Sequence, residues 1–272
     1  MKIDKGRVRV PEIGRVWLNS PPLNMRQLRG RVVLIDFWDF TCVNCIRTLP
    51  YIQAWHERYK DIGLTVIGVH TPEFTFAQYE SNVERGVREF GLTYPIVIDS
   101  EFELFKLFAN RAWPSKYLVD KDGYLRYMHM GEGAYQETEQ MIQDLLREVN
   151  SSLEFPALLD PVRGEDRAGA VCFPATPELY LGHRRGRIGN QQGFVEDQTA
   201  EYHFTEQPEE RLFYAQGQWH STAEYFEAAG ETPSRLVLEY SAAAVNVVLS
   251  SNRMPSAEVI IRLDGKPLSQ EN

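Results

Sequence analysis

The stretch VVLIDFWDFTCVNCIRTLPY, residues 32–51, constrains this chain more than any other. It opens on an apolar run, Val32 to Trp38, broken only by Asp36. β-Branched and aromatic residues without polar alternation mark a strand buried on both faces, the pattern of a parallel sheet. Asp39-Phe40-Thr41 then turns the chain, and Cys42-Val43-Asn44-Cys45 leads into a helix predicted to run to Tyr59. Cys42 falls at the helix N-terminus, where unpaired N–H groups and the helix dipole favour a thiolate. The thiolate is the nucleophile of disulfide exchange. Cys45 shares the same helix face, close enough to close a disulfide with Cys42 or to resolve a mixed one. Two plainer readings compete: half of a zinc site, or a buried structural pair. Zinc takes four ligands, and the chain offers one further cysteine, Cys172, with no second Cys-x-x-Cys and no His-x-x-x-His. The strand-turn-helix context argues against both.

The residues around this motif resemble the thioredoxin-like superfamily. Asp36 stands where thioredoxins carry a buried acid, Trp38 where they carry a tryptophan, and Pro50 where a proline kinks the active-site helix. Ala112 to Gly123, AWPSKYLVDKDG, resembles the segment that carries the cis-proline, with a hairpin after it. Taken with GEGAYQETEQMIQDLL and TPELYLG, these features resemble the soluble redox portion of DipZ-type proteins, in the redoxin and TlpA-like branch. The resemblance is strong over residues 15–150 and weaker over 176–272. It implies a thioredoxin-like α/β fold followed by a smaller all-β sandwich, jelly-roll-like and similar to a carbohydrate-binding module. The expected division is a redox domain at 1–150, a linker at 151–175 rich in Pro, Gly and charge, and a sandwich at 176–272 that stops short of its family pattern. An incomplete sandwich leaves strand edges that favour a homodimer.

Composition narrows the function. The net charge of −9 argues against nucleic acid and anionic membrane surfaces. No run approaches 18 apolar residues, and the opening MKIDKGRVRVPEIG has no signal-peptide core. Read as it stands the chain is cytoplasmic; the DipZ resemblance implies work outside the cytoplasmic membrane once an export segment has been removed.

Along the chain, residues 1–14 read as an extended lead-in, Val16 to Leu18 as a short strand, and Asn24 to Leu28 as one helical turn. Leu64 to His70 is a second buried strand, parallel to the first because a helix joins them. Phe76 to Phe90 is predicted as one helix, with Phe76, Tyr79, Val83, Val87 and Phe90 on its apolar stripe. A strand at Tyr94 to Ile98, a helix at Glu101 to Asn110, a hairpin of Lys116–Asp120 with Tyr124–Met128, and a helix at Tyr135 to Val149 complete a sheet of four or five strands. Strands are then expected at Glu201–Phe204, Arg235–Tyr240, Ala244–Leu249 and Val259–Leu263.

The resemblance assigns roles. Cys42 attacks, Cys45 resolves, and buried Asp36 accepts a proton from Cys45. The lysine that often pairs with this acid in thioredoxins has no counterpart on the Leu64–His70 strand. Pro114 is expected to be cis, with Trp38, Phe40, Trp113 and Glu132 forming a substrate-docking surface. His70 lies at the sheet edge that carries the dithiol, either beside it or simply ending the strand; His56 is an ordinary helix histidine, and Cys172 a lone structural thiol. No cofactor is implied beyond the Cys42–Cys45 disulfide. The implied partners are protein thiols and disulfides, with a thiol reductase or membrane electron donor. The Val43-Asn44 pair leaves the direction of reaction open. One alternative is a redoxin-type peroxidase, although peroxiredoxins place a Thr where Asp39 stands. Another is a binding module whose aromatics, Tyr180, Tyr202, Phe204, Phe213, Tyr214, Trp219, Tyr225 and Phe226, stack on sugar.

Overall fold

A computed structural model describes residues 16–167, 169–170, 175–204, 207–250 and 258–268. The lead-in at 1–14 and Cys172 lie outside the described residues. By compactness the chain divides into Met1–Ala242 and Ala243–Asn272.

The first unit is built on a six-stranded sheet in the order β1-β4-β3-β2-β5-β6. Its strands are β1 Val16–Leu18, β2 Val32–Trp38, β3 Leu64–His70, β4 Ile96–Ile98, β5 Ser115–Val119 and β6 Leu125–Met130. Helix α1 (Val43–Tyr59) joins β2 to β3, and the two strands run parallel from Val32↔Leu64 to Trp38↔His70. Strand β5 pairs antiparallel on the other side of β2 and turns through a hairpin into β6. The sheet gains its sixth strand because β1 closes antiparallel on β4.

Every residue of β2 is buried, and alternate side chains serve two cores. Val32, Leu34 and Trp38 face α1 and α4 (Tyr135–Val149), where Ile52, Trp55, Tyr59, Ile142 and Leu146 pack. Val33, Ile35 and Phe37 face the other side, where Met25, Leu28 and Leu104 cover the sheet. A central strand walled on both faces needs no polar position, which is why its apolar run is nearly continuous. Gly68 on β3 permits one tight approach. A Cβ there would lie 2.6 Å from Ile96 Cδ1 and 3.1 Å from Trp38 Nε1.

Two expected helices are shorter than their periodicity suggests. Residues 76–90 do not form one helix: a 3-10 turn at Thr75–Gln78 is separated from α2 (Glu80–Glu89) by extended Tyr79. The Asn82 side-chain amide donates to the Phe76 carbonyl at 2.8 Å, taking the acceptor that a continuous helix would use itself. Tyr79 therefore leaves the apolar stripe and is 62% exposed. Similarly α3 spans only Glu103–Leu107, because Phe102 and Ala109 adopt left-handed φ values on either side. Asn24–Leu28 is the single turn expected, closed by the Gln27 and Leu28 N–H groups on the Asn24 carbonyl.

Residues after α4 form an irregular strap held against α1 and α4. Leu153, Phe155 and Leu159 pack on the core. Buried Glu139 accepts from Tyr59 Oη at 2.6 Å, Arg58 at 2.9 Å and the Leu159 N–H at 2.7 Å. Farther along, Tyr51 Oη accepts from the Val162 N–H and donates to Asp166, both at 2.7 Å.

The β-rich region of the first unit has a smaller sheet. Its central strand is β8 (Phe213–Ser221), with β7 (Thr199–Tyr202), β9 (Phe226–Ala228) and β10 (Arg235–Leu238) paired to it. Tyr202, Phe213, Ala215, Trp219 and Phe226 form its core. In the second unit, β11 (Arg262–Leu263) and β12 (Lys266–Pro267) pair as a short hairpin with two residues on each strand. The strand expected at Ala244–Leu249 is absent, and that expected at Val259–Leu263 is reduced to β11. Val247, Leu249, Val259 and Ile260 are exposed, so the alternation that suggested strands has no packed face here.

Candidate active site

Cys42 is the N-cap residue of α1, with extended backbone, and its sulfur accepts the Cys45 N–H at 3.2 Å. A helix start accommodates negative charge best at this position. Both thiols are free, and both residues are buried. Cys45 lies deeper, and burial together with the neighbouring Cys42 sulfur pushes its thiol up.

Beneath the cysteines sits a buried charge pair. Asp36 on β2 and Lys116 on β5 are register partners, and both are buried. Burial pushes the Asp36 carboxyl up to about 7, against the opposing pull of the Lys116 ammonium. Burial also brings Lys116 down to about 8, with Asp36 acting to hold it up. Lys116 Nζ reaches the Gly133 carbonyl at 3.2 Å and stands 5.1 Å from the centre of the Tyr135 ring. The Asp36 oxygens have no hydrogen-bond partner among the described residues. The acid therefore does have a lysine partner, supplied by β5 and not by β3. Lys116 stands in WPSKYLV, where nothing local in the sequence marks it as the partner of Asp36.

The other expected residues divide. The Trp113–Pro114 peptide is cis, as the resemblance implied. Phe40 and Trp113 are half-buried, with Trp113 stacked on Phe105 at 4.7 Å. Trp38 was expected on the docking surface but has no exposed surface at all. It faces inward from β2, against the Gly68 gap, and so supports the site from below. Glu132 is held by Arg47 at 3.4 Å and Arg163 at 3.1 Å, which ties its loop to α1 and to the strap. His70 is wholly buried, stacked on Phe40 at 5.4 Å, with Nε2 3.9 Å from Asp39 Oδ1. Burial lowers its imidazole to about 4, the Asp39 carboxylate opposing. Asp39 itself went unmarked in the sequence, where an acid in a turn is unremarked; here it is wholly buried.

Of the aromatics expected to stack on sugar, Tyr202, Phe213, Tyr214, Trp219 and Phe226 are buried, and Tyr225 is 51% exposed. No cluster of His, Cys, Asp and Glu able to hold a metal occurs among the described residues, and no described helix is long and apolar enough to cross a membrane.

A Cys-x-x-Cys helix start, a buried acid and a cis-proline, on a mixed sheet with helices on both faces, define a thioredoxin-like redox protein. The comparisons agree: residues 17–128 match the AhpC/TSA family and residues 176–272 the thioredoxin-like C-terminal domain. The chain belongs to the thioredoxin-like thiol-disulfide oxidoreductases. It is 30% identical to the thiol-disulfide oxidoreductase ResA of Halalkalibacterium halodurans, over 47% of this chain and 68% of that protein. It is 28% identical to the thiol-disulfide oxidoreductase YkuV of Bacillus subtilis, over 53% of this chain and 98% of that protein. Similarity to the protein DipZ of Mycobacterium tuberculosis runs farther, with 33% identity over 92% of this chain. The chain spans about a third of the length of that relative, 35%.

Proposed function

We propose that the chain exchanges disulfides with protein substrates, with Cys42 as the attacking thiol and Cys45 as the resolving one. The observation that carries this is the order of depth: Cys42 at the helix start, Cys45 behind it, and the Asp36–Lys116 pair beneath. The Cys42 thiolate attacks one sulfur of the substrate disulfide, forming a mixed disulfide and releasing the other sulfur as thiolate. Cys45 then gives its proton to the Asp36 carboxylate and attacks the Cys42 sulfur. The Cys42–Cys45 bond forms, the mixed disulfide breaks, and two electrons have passed to the substrate. A carboxyl near about 7 is matched to a proton transfer at neutral pH, and the Lys116 ammonium opposite keeps it from rising further. Phe40 and Trp113 offer the apolar surface on which a substrate peptide rests. A thiol reductase or membrane electron donor returns the dithiol to its reduced form. Run backwards, the same steps insert a disulfide, so the potential of the pair sets the direction.

The test is turnover of a disulfide-bonded protein such as insulin with a dithiol donor. Cys42→Ser should abolish it, and Asp36→Asn should slow it most at and above about pH 7, where the native carboxyl is ionised and able to take the Cys45 proton. Full turnover without Cys42 would overturn the reading.

A further inference from the structure

Asp39 joins the nucleophile's turn to a distant part of the chain. One carboxylate oxygen accepts the Thr41 N–H at 2.7 Å and the Thr41 hydroxyl at 2.8 Å. The Asp39 carbonyl accepts the Cys42 N–H at 3.2 Å. These bonds close the turn that presents Cys42. The second carboxylate oxygen accepts the N–H of Glu73, in the loop that follows β3. A buried carboxylate that accepts three donors is held tightly, and both of its attachments are held with it.

The loop at the far end of that link is gripped by the β-rich region. The Glu73 carboxylate accepts from Arg185 at 3.1 Å and from Tyr180 Oη at 3.3 Å. The Arg185 guanidinium lies 3.9 Å from the centre of the Tyr180 ring and 5.8 Å from that of Phe74. Two residues on, Thr75 donates to Glu224 through its N–H at 3.0 Å and its hydroxyl at 2.6 Å, and Arg184 pairs with the same carboxylate at 3.0 Å. Glu73 is 7% exposed on its side chain and Arg185 36%, so the pair is buried at its carboxylate end and open to water at its guanidinium end.

We propose that the β-rich region sets the redox balance of the dithiol through this chain of contacts, from Arg185 and Tyr180 to Glu73, and through the Glu73 N–H to Asp39 and the Thr41–Cys42 turn. Asp39 is a positioning residue in this scheme: it touches neither substrate nor the sulfur undergoing attack, and it fixes the turn from which Cys42 projects. The proposal rests on the reading of Cys42 and Cys45 as the exchanging pair. Closing a disulfide asks the turn to bring the two sulfurs within bonding distance, so a turn held in one geometry weights the oxidised and reduced forms differently. A region that holds the turn therefore shifts the equilibrium between them.

The experiment is equilibration of the full chain with glutathione buffers, comparing Arg185→Ala in two backgrounds, native and Asp39→Ala. Arg185→Ala should change the equilibrium constant by about threefold in the native background, ~15 mV. In the Asp39→Ala background the same substitution should change it by less than about half as much, because the link is already cut. Equal shifts in both backgrounds, or no shift in either, would overturn the proposal. Should Asp39→Ala fail to fold, Glu73→Gln gives the same answer: it should reproduce the Arg185→Ala shift, with no further change in the double variant. Arg147→Ala, on the exposed side of α4, should leave the constant unchanged. A shift there as large as that from Arg185→Ala would show a general effect of lost charge and defeat the proposal. A native chain that forms no Cys42–Cys45 disulfide at any poise would instead remove the reading on which it rests.

Discussion

The α/β portion and the β-rich portion of the first unit secure their folds in opposite ways. The α/β sheet is walled on both faces, with Val32, Leu34 and Trp38 toward one core and Val33, Ile35 and Phe37 toward the other. The β-rich sheet has one small core, gathered on Phe226, whose ring meets Phe194, Tyr202, Phe213 and Trp219 at centroid distances of 5.2–5.9 Å. The first design buries a continuous apolar run and supports a strained chemistry of buried charge. The second depends on a few aromatic contacts and leaves most of its surface to loops. A site that holds an Asp, a Lys and two thiols out of water belongs on the first, because only a deep, doubly covered sheet can exclude water around them.

The largest test of that contrast is a pair of core truncations. Ile52→Ala, in the core between α1 and the sheet, should cost about 2–5 kcal/mol and shift the unfolding of the α/β portion in denaturant. Phe226→Ala, also about 3–5 kcal/mol, should instead release amide protection in β7 to β10 and leave that of β2 and β3 intact. Loss of protection in both portions from Phe226→Ala would show one cooperative unit and break the comparison.

Next in size is the pH dependence of the buried pair. Asp36 binds its proton more tightly folded than unfolded, so its burial costs stability progressively as pH rises from 3.8 to about 7. Lys116 loses its proton earlier folded than unfolded, so stability returns as pH rises from about 8 to 10.5. The pair is thus most costly between about 7 and 8, where both groups are charged. His70 works in the opposite sense to Asp36, removing stability as pH falls from 6.5 to about 4. Comparing native chain with Asp36→Asn/Lys116→Met separates the two: the difference in denaturation midpoint should favour the double variant most between pH 7 and 8. A difference that does not vary with pH would contradict the buried pair.

The smallest effect concerns the strap. Tyr51→Phe removes the hydroxyl that receives the Val162 N–H and donates to Asp166. It should cost about 1–2 kcal/mol and raise hydrogen exchange at Val162 without touching the sheet. Unchanged exchange there would show that the strap is held by its apolar contacts alone.

How much of this was legible in the sequence follows the same contrast. The bounds of β3 and α4 fall where the apolar run and the helical periodicity put them. The Cys42 helix start was plain from the strand, turn and motif together. In the β-rich region the central strand β8 escaped notice. Its buried residues, Phe213, Tyr214 and Ala215, then Trp219 and Ser221, do not alternate across the whole strand. Gly217, at φ 91°, breaks the pattern midway, where β10 leaves off and β7 begins to pair. The reverse error fell on Ala244–Leu249, where alternation without a face to pack on made no strand. At the site, Lys116 was missed because pairing between β2 and β5 is set by register across a long separation, which no local pattern reports. Asp39 was missed because its three donors come from Thr41 and from Glu73, far along the chain.

The most direct test of the account is capture of the mixed disulfide. The Cys45→Ser chain, mixed with a disulfide-bonded protein and quenched in acid, should carry that protein joined through Cys42, and the Cys42→Ser chain should carry none. Capture through Cys45 in the Cys42→Ser chain, with none through Cys42, would contradict the order of attack read from the helix start.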